Sequence, residues 1–272
     1  MVVGAFMVLI CAQYLTIHHS LTYNLRAKAP PMPVIIQKPA TPVFVFDRRF
    51  YGWSAVSVAL IALVGFARTY YLKGFFGTPT LPPFVHFHGL VMSAWVALFF
   101  VQTRLIAAHR VALHRALGIV GCGLAVLVVL VAADATMQAA GREVAAHRVG
   151  PFHFLLGINF INLFVFAVLF AAAIVWRKRS DFHKRLMLLA TVNLLAPAAA
   201  RICLNFTHNQ YVQLAAFFLC ILLCVAVDTV RHRRLHPAMG WGAALSIVMF
   251  SLIFIAVQWP AWVPFVDKIM AP

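Results

Sequence analysis

From residue 51 onward the chain alternates between long apolar stretches and short segments that collect most of its Lys and Arg residues. About 20 consecutive apolar residues cross the hydrocarbon core as a helix, because an open segment there must satisfy its own backbone hydrogen bonds. Seven stretches meet that length, at residues 51–71, 83–103, 116–135, 152–176, 186–206, 211–227 and 238–259. The pattern predicts an all-α polytopic membrane bundle of seven transmembrane helices. Residues 1–17 are almost wholly apolar, and they read as an eighth span, an interfacial helix or upstream sequence. They lack the basic n-region of a secretory signal. Pro30, Pro31, Pro33, Pro39 and Pro42 then mark an extended linker. This divides the chain into an N-terminal segment with its linker, 1–45, and a seven-helix domain, 46–272.

Composition removes the alternatives. Apolar and aromatic residues make up 64% of the chain and charged residues only 10%, against roughly 25% charged in a soluble domain. Too few charges exist to cover a water-exposed surface of this size. The net charge of +16, from 22 basic and 6 acidic residues, would suggest nucleic acid as the partner of a soluble protein. Here the lipid bilayer is the partner and no nucleic acid is expected, because the charges are placed as membrane topology requires. The N-terminal 50 residues and the second, fourth and sixth connections hold 16 of the basic residues, and the other side holds 6. The positive-inside rule puts residues 18–50 in the cytoplasm and the C-terminus outside.

Polar residues inside apolar helices need partners, so they are the first functional candidates. On the outer side stand His86, His88, Asp134, His153, Asn159, Asn162, Arg201 and Asn205, with Asn193 nearer mid-span. If their helices adjoin, Asp134, Asn159, Asn162 and Arg201 form one polar pocket. Pairing of Asp134 with Arg201 would spare each a desolvation cost. A structural clamp is the plainer role for that pair, and a ligand anchor or proton route the sharper one. Asn159 and Asn162 are one turn apart, and interhelical hydrogen bonds alone would explain them. Pro197 marks a kink beside this region.

Histidine is abundant, 12 residues in all. His86, His88, His147, His153 and His208 belong to the outer side, and His109, His114, His183, His232 and His236 to the cytoplasmic side. Imidazoles from different helices hold haem b, and they also bind other metals. Two such pairs suggest themselves, His88 with His153 outside and His114 with His183 inside. Near helix ends, however, imidazole is also satisfied by headgroups, backbone or water, and for any single histidine that role is the more common. His86 and His88 are about 200° apart on a helix, so they share a metal only if the segment after Pro83 is extended. The five cysteines form no CxxC or CxxCH, so zinc, a disulfide framework and c-type haem lack support. Glu143 is the one Glu, which removes carboxylate-pair hydrolysis.

Three motifs stand out: His-x-His-Gly at 86–89, Leu-His-Arg-x-Leu-Gly at 113–118 and His-Lys-Arg-Leu-Met at 183–187. With the flanking stretches 46–72, 85–121 and 181–201, the chain resembles a family of bacterial seven-span inner-membrane proteins. The resemblance covers the domain from about residue 46 and implies an inner-membrane location, but it brings no reaction with it. Arg68 stands where such proteins carry a proline, which bears on the end of the first helix.

Three functions compete. A haem- or metal-binding redox protein, exchanging electrons with a quinone or another membrane subunit, follows from the histidines at both faces. A small-solute transporter follows from the outer polar residues. A structural subunit of a membrane complex follows from the short loops.

Overall fold

The computed structural model describes residues 42–145 and 150–270. The apolar segment 1–17 and nearly all of the proline-rich linker lie outside the described residues. No strand occurs among the described residues, and the helices in chain order are α1 (Pro42–Phe66), α2 (Pro83–Ala107), α3 (Val111–Ala145), α4 (Gly150–Val175), α5 (Ser180–Asn193), α6 (Ala196–Leu204), α7 (Gln210–His232), α8 (Pro237–Ala256) and α9 (Trp262–Met270). Six described segments are long and apolar enough to cross a membrane singly, and the pair α5–α6, bent by 41°, makes a seventh if it is counted as one span. The all-α polytopic bundle expected from the apolar runs is therefore present, with six or seven candidate spans among the described residues.

Local chemistry sets several helix ends. Pro83 and Pro237 open α2 and α8, where the missing proline N–H costs nothing because it would have had no intrahelical partner. Asn209 caps α7 by accepting from the Tyr211 N–H at 2.9 Å. Arg233, with φ of 52°, turns the chain sharply after α7. α1 does not end in a proline stop. The helix widens into a π-helical turn over Ala67–Tyr71, which contains Arg68. From that turn Tyr70 donates to the His86 carbonyl at 3.1 Å, and Tyr71 meets Ser93 Oγ at 2.7 Å.

The helices form a ring around α5. Neighbours along the ring are α1, α2, α3, α4, α8 and α7, and α6 closes it between α7 and α1. α5 itself packs against α1, α4, α7 and α8. Leu186, Leu188, Leu189, Ala190, Thr191, Val192 and Asn193 are consecutive or nearly so, and all are buried. A helix buried on every side is a central helix. Close approaches reinforce it. A Cβ on Gly242 of α8 would stand 2.7 Å from Leu189 Cδ1, and one on Gly65 of α1 would stand 2.6 Å from the Ala198 carbonyl oxygen of α6. Outside the ring, Leu60, Leu90, Val120, Leu130, Leu219, Leu222 and Ile255 are exposed. An apolar surface this continuous belongs against lipid rather than water.

The segment 186–206, expected as one kinked span, is two helices. The break falls at Leu194 and Leu195, and Pro197 sits in the first turn of α6. Proline is favoured there, so the bend precedes the proline.

Candidate functional site

The basic residues of the connections converge at one end of the bundle, where α1, α5 and α8 begin and α2, α4 and α7 finish. Two of the sequence motifs meet at this end. His114 lies in the first turn of α3 and His183 in the first turn of α5, with their ring centroids 6.3 Å apart and the planes at 83°. Nδ1 of His183 is 2.9 Å from the Ala173 carbonyl. A carbonyl only accepts, so Nδ1 carries the proton and Nε2 of the neutral ring keeps its lone pair for a ligand. Nδ1 of His114 is buried without a hydrogen-bond partner, as is Oε1 of Gln102. The Gln102 amide nitrogen donates to the His114 carbonyl at 3.2 Å, which holds α2 against the start of α3.

The donor set limits what can bind. No group of three or more His, Cys, Asp or Glu residues suited to a metal ion occurs among the described residues. His114 and His183, on different helices, are the residues that would hold a haem iron or another transition metal. Their 6.3 Å separation and 83° interplanar angle are those of an edge-to-face ring contact. Arg115 and Arg177 lie within electrostatic reach of the two rings.

Beside this pair runs a string of charges that joins four helices. Lys184 of α5 bonds Asp47 of α1. Oδ1 of Asp47 is 3.7 Å from His232 Nε2, and His232 Nδ1 is 3.5 Å from Asp228 Oδ1 on its own helix. Asp228 accepts from Arg185 Nε at 2.9 Å, and Arg185 also donates to the Asp181 carbonyl at 2.9 Å. Tyr51 places its hydroxyl in the same region, buried without a hydrogen-bond partner. At the edge, His236 caps α8: its Nδ1 accepts from the Ala238 N–H at 3.1 Å, and its Nε2 donates to Asp181 Oδ2 at 3.2 Å. Burial, with the Arg185 charge in second place, lowers the His236 pKa below the ordinary 6.5, against the opposing pull of Asp181.

Sequence reasoning overlooked Asp47, Asp228, Lys184 and Arg185 as a unit, having counted the bases as topology markers. A signal was present. Asp228 precedes His232 by one turn at the end of a helix otherwise free of acids, so a base had to face it.

At the opposite end the expected partners separate. Asp134 is exposed and accepts from Gln138 Nε2 at 3.0 Å. Arg201 lies with its guanidinium 4.6 Å from the centre of the Phe66 ring and donates to the Pro197 carbonyl at 3.1 Å. The two form no ion pair, which corrects the expected clamp. The reason is topological, since α3 packs on α2 and α4, whereas α6 packs on α1 and α7. Asn162 is buried with Oδ1 lacking a partner, and Asn159 is half-buried. Asn193 donates to the Leu189 carbonyl at 2.8 Å and to Ser246 Oγ at 3.0 Å, beside the α5–α6 break.

α2 is helical from Pro83, so His86 and His88 diverge. His86 is exposed and stacks obliquely on Tyr70 at 5.7 Å, whereas Nδ1 of His88 is buried. A single metal shared by those two is removed. The His153 side chain and all of His147 lie outside the described residues, so the outer pair of His88 with His153 is not described. Gly89, the last residue of the His-x-His-Gly motif, lies under the Tyr70 ring, which a Cβ there would approach to 2.3 Å. No disulfide joins the described cysteines.

The chain matches no protein-family model, no curated protein and no solved structure.

Proposed function

We propose that this protein is an inner-membrane redox protein that holds haem b, or another transition metal, between His114 and His183, and that it exchanges electrons with a quinone or a second membrane subunit. The single observation that carries the reading is the facing pair of imidazoles supplied by two separate sequence motifs, one ring already held by the Ala173 carbonyl. Such a backbone bond to the far nitrogen is how a metal-binding histidine is oriented and made more basic. A bound haem would supply one-electron chemistry, with a potential tuned by its axial ligands and surroundings. His183 orients, His114 approaches from the facing helix, and Gln102 fixes the start of α3 between them. On the positive-inside rule this site lies in the cytoplasmic half of the bilayer. The resemblance to bacterial seven-span inner-membrane proteins agrees with that placement, since two of its three motifs contain these histidines.

The test is an absorption spectrum. Protein expressed with a haem precursor, purified in mild detergent and reduced with dithionite should show haem bands and about one iron per chain for a single bis-imidazole site. A folded, colourless and metal-free preparation would overturn the reading.

The α5–α6 break favours a second reading, a small-solute transporter. Broken helices near mid-bilayer form substrate sites in several transporter folds, and Asn193 and Ser246 lie beside this one. Solute uptake into proteoliposomes that is indifferent to Asn193→Leu would remove it.

A further inference from the structure

A groove of about 440 Å³ opens at the basic end between α1 and α2, on the ring's outer surface and away from the paired histidines. It is lined by Arg48, Arg49, Trp53, Val56, Phe100 and Arg104, with Gly52 and Ala107 completing its wall. On each of these antiparallel helices an arginine and an aromatic ring stand four residues apart on one face. On α1, Arg49, Trp53 and Val56 follow at intervals of four and three residues, which keeps them on one face. On α2, Phe100, Arg104 and Ala107 repeat those intervals in the opposite direction. Each helix therefore places arginine near the membrane surface and an aromatic ring deeper. Trp53 is 70% exposed, so an indole stands open where an acyl chain would lie.

Among the described residues that line the groove, the charged ones are all arginines. Asp47, the acidic residue nearest in sequence, is turned to the opposite side of α1, where Lys184 and His232 hold it. Positive charge over an apolar floor at the level of the headgroups is complementary to one kind of molecule.

We propose that this groove is a binding site for an anionic phospholipid. Arg49 and Arg104 receive the headgroup phosphate, and the first acyl carbons lie along Trp53, Val56 and Phe100. Arginine suits this better than lysine, because its planar fork presents two parallel donors to phosphate oxygens. Basic clefts between membrane helices are established in general as sites for acidic headgroups.

Native mass spectrometry of the full chain tests the site, after extraction from nanodiscs of equal phosphatidylglycerol and phosphatidylcholine. The wild type should retain phosphatidylglycerol in preference to phosphatidylcholine. Arg49→Gln with Arg104→Gln should reduce that preference by about fivefold for each arginine. The pair R49K and R104K should keep part of it, and the charge-matched control Arg233→Gln with Arg234→Gln should keep all of it. Circular dichroism shows whether each variant is folded, and the lysine pair serves if the glutamine pair is not. Excess inorganic phosphate should leave the retained lipid in place. Equal retention of both lipids by the wild type, an equal loss in the control pair, or displacement by free phosphate would each overturn the proposal.

Discussion

Arg185 Nε and Asp228 Oδ2 lie 2.9 Å apart, with the two side chains 3% and 0% exposed. The pair joins the central helix α5 to α7 on the ring. Taking both charges out of a polar medium is costly, and their bond with the Asp181 carbonyl offsets that cost only while both partners remain. Asp228→Ala leaves the guanidinium buried and uncompensated. It should lower stability by about 3 to 5 kcal/mol, whereas R185M combined with D228L should cost much less. Thermal unfolding of the three variants in one detergent measures the difference. A double variant as unstable as D228A would show that the pair stabilises for some other reason.

The contact of α1 with α6 depends on Gly65. A side chain there meets the backbone of Ala198 rather than a flexible group, so the helices must separate. Gly65→Val should destabilise by about 1 to 3 kcal/mol, the range for overpacking. A Cβ on Gly52 would meet nothing within 4 Å, and Gly52→Ala should be neutral or slightly stabilising. Melting temperatures of the two variants, compared with the wild type, decide the point.

His236 makes stability depend on pH. Its ring must be neutral to accept the Ala238 N–H, and its folded pKa lies below the ordinary 6.5. The folded state thus binds fewer protons than the unfolded chain. The contribution is complete above about pH 6.5, the unfolded value, and is lost as pH falls through the lower folded value. His236→Asn keeps a capping oxygen but does not titrate. The wild type should lose more melting temperature than H236N between pH 7 and pH 5. Parallel curves over that interval would contradict this assignment.

How much of this was legible in the sequence differs by feature. The spans were, because about 20 apolar residues leave no other solution in lipid. The centrality of α5 was not, since its first two turns carry Asp181, His183, Lys184 and Arg185 and look like a connection. Only the packing shows that Lys184 meets Asp47, Arg185 meets Asp228 and Asp181 meets His236. His114 and His183, one imidazole on each of two helices, were paired from the sequence, and their rings do lie 6.3 Å apart. Asp134 and Arg201 misled because depth along a span says nothing about which helices are neighbours, and α3 and α6 are not among the packed pairs.

The reduced-minus-oxidised absorption spectrum of His183→Ala, set beside those of the wild type and His208→Ala, tests the central claim most directly. His183 is the ring held by the Ala173 carbonyl, and His208 is exposed at the opposite end of the bundle. Haem bands are expected in the wild type and in H208A, and folded H183A should lose them together with the bound iron. Bands of undiminished intensity in H183A would contradict the assignment.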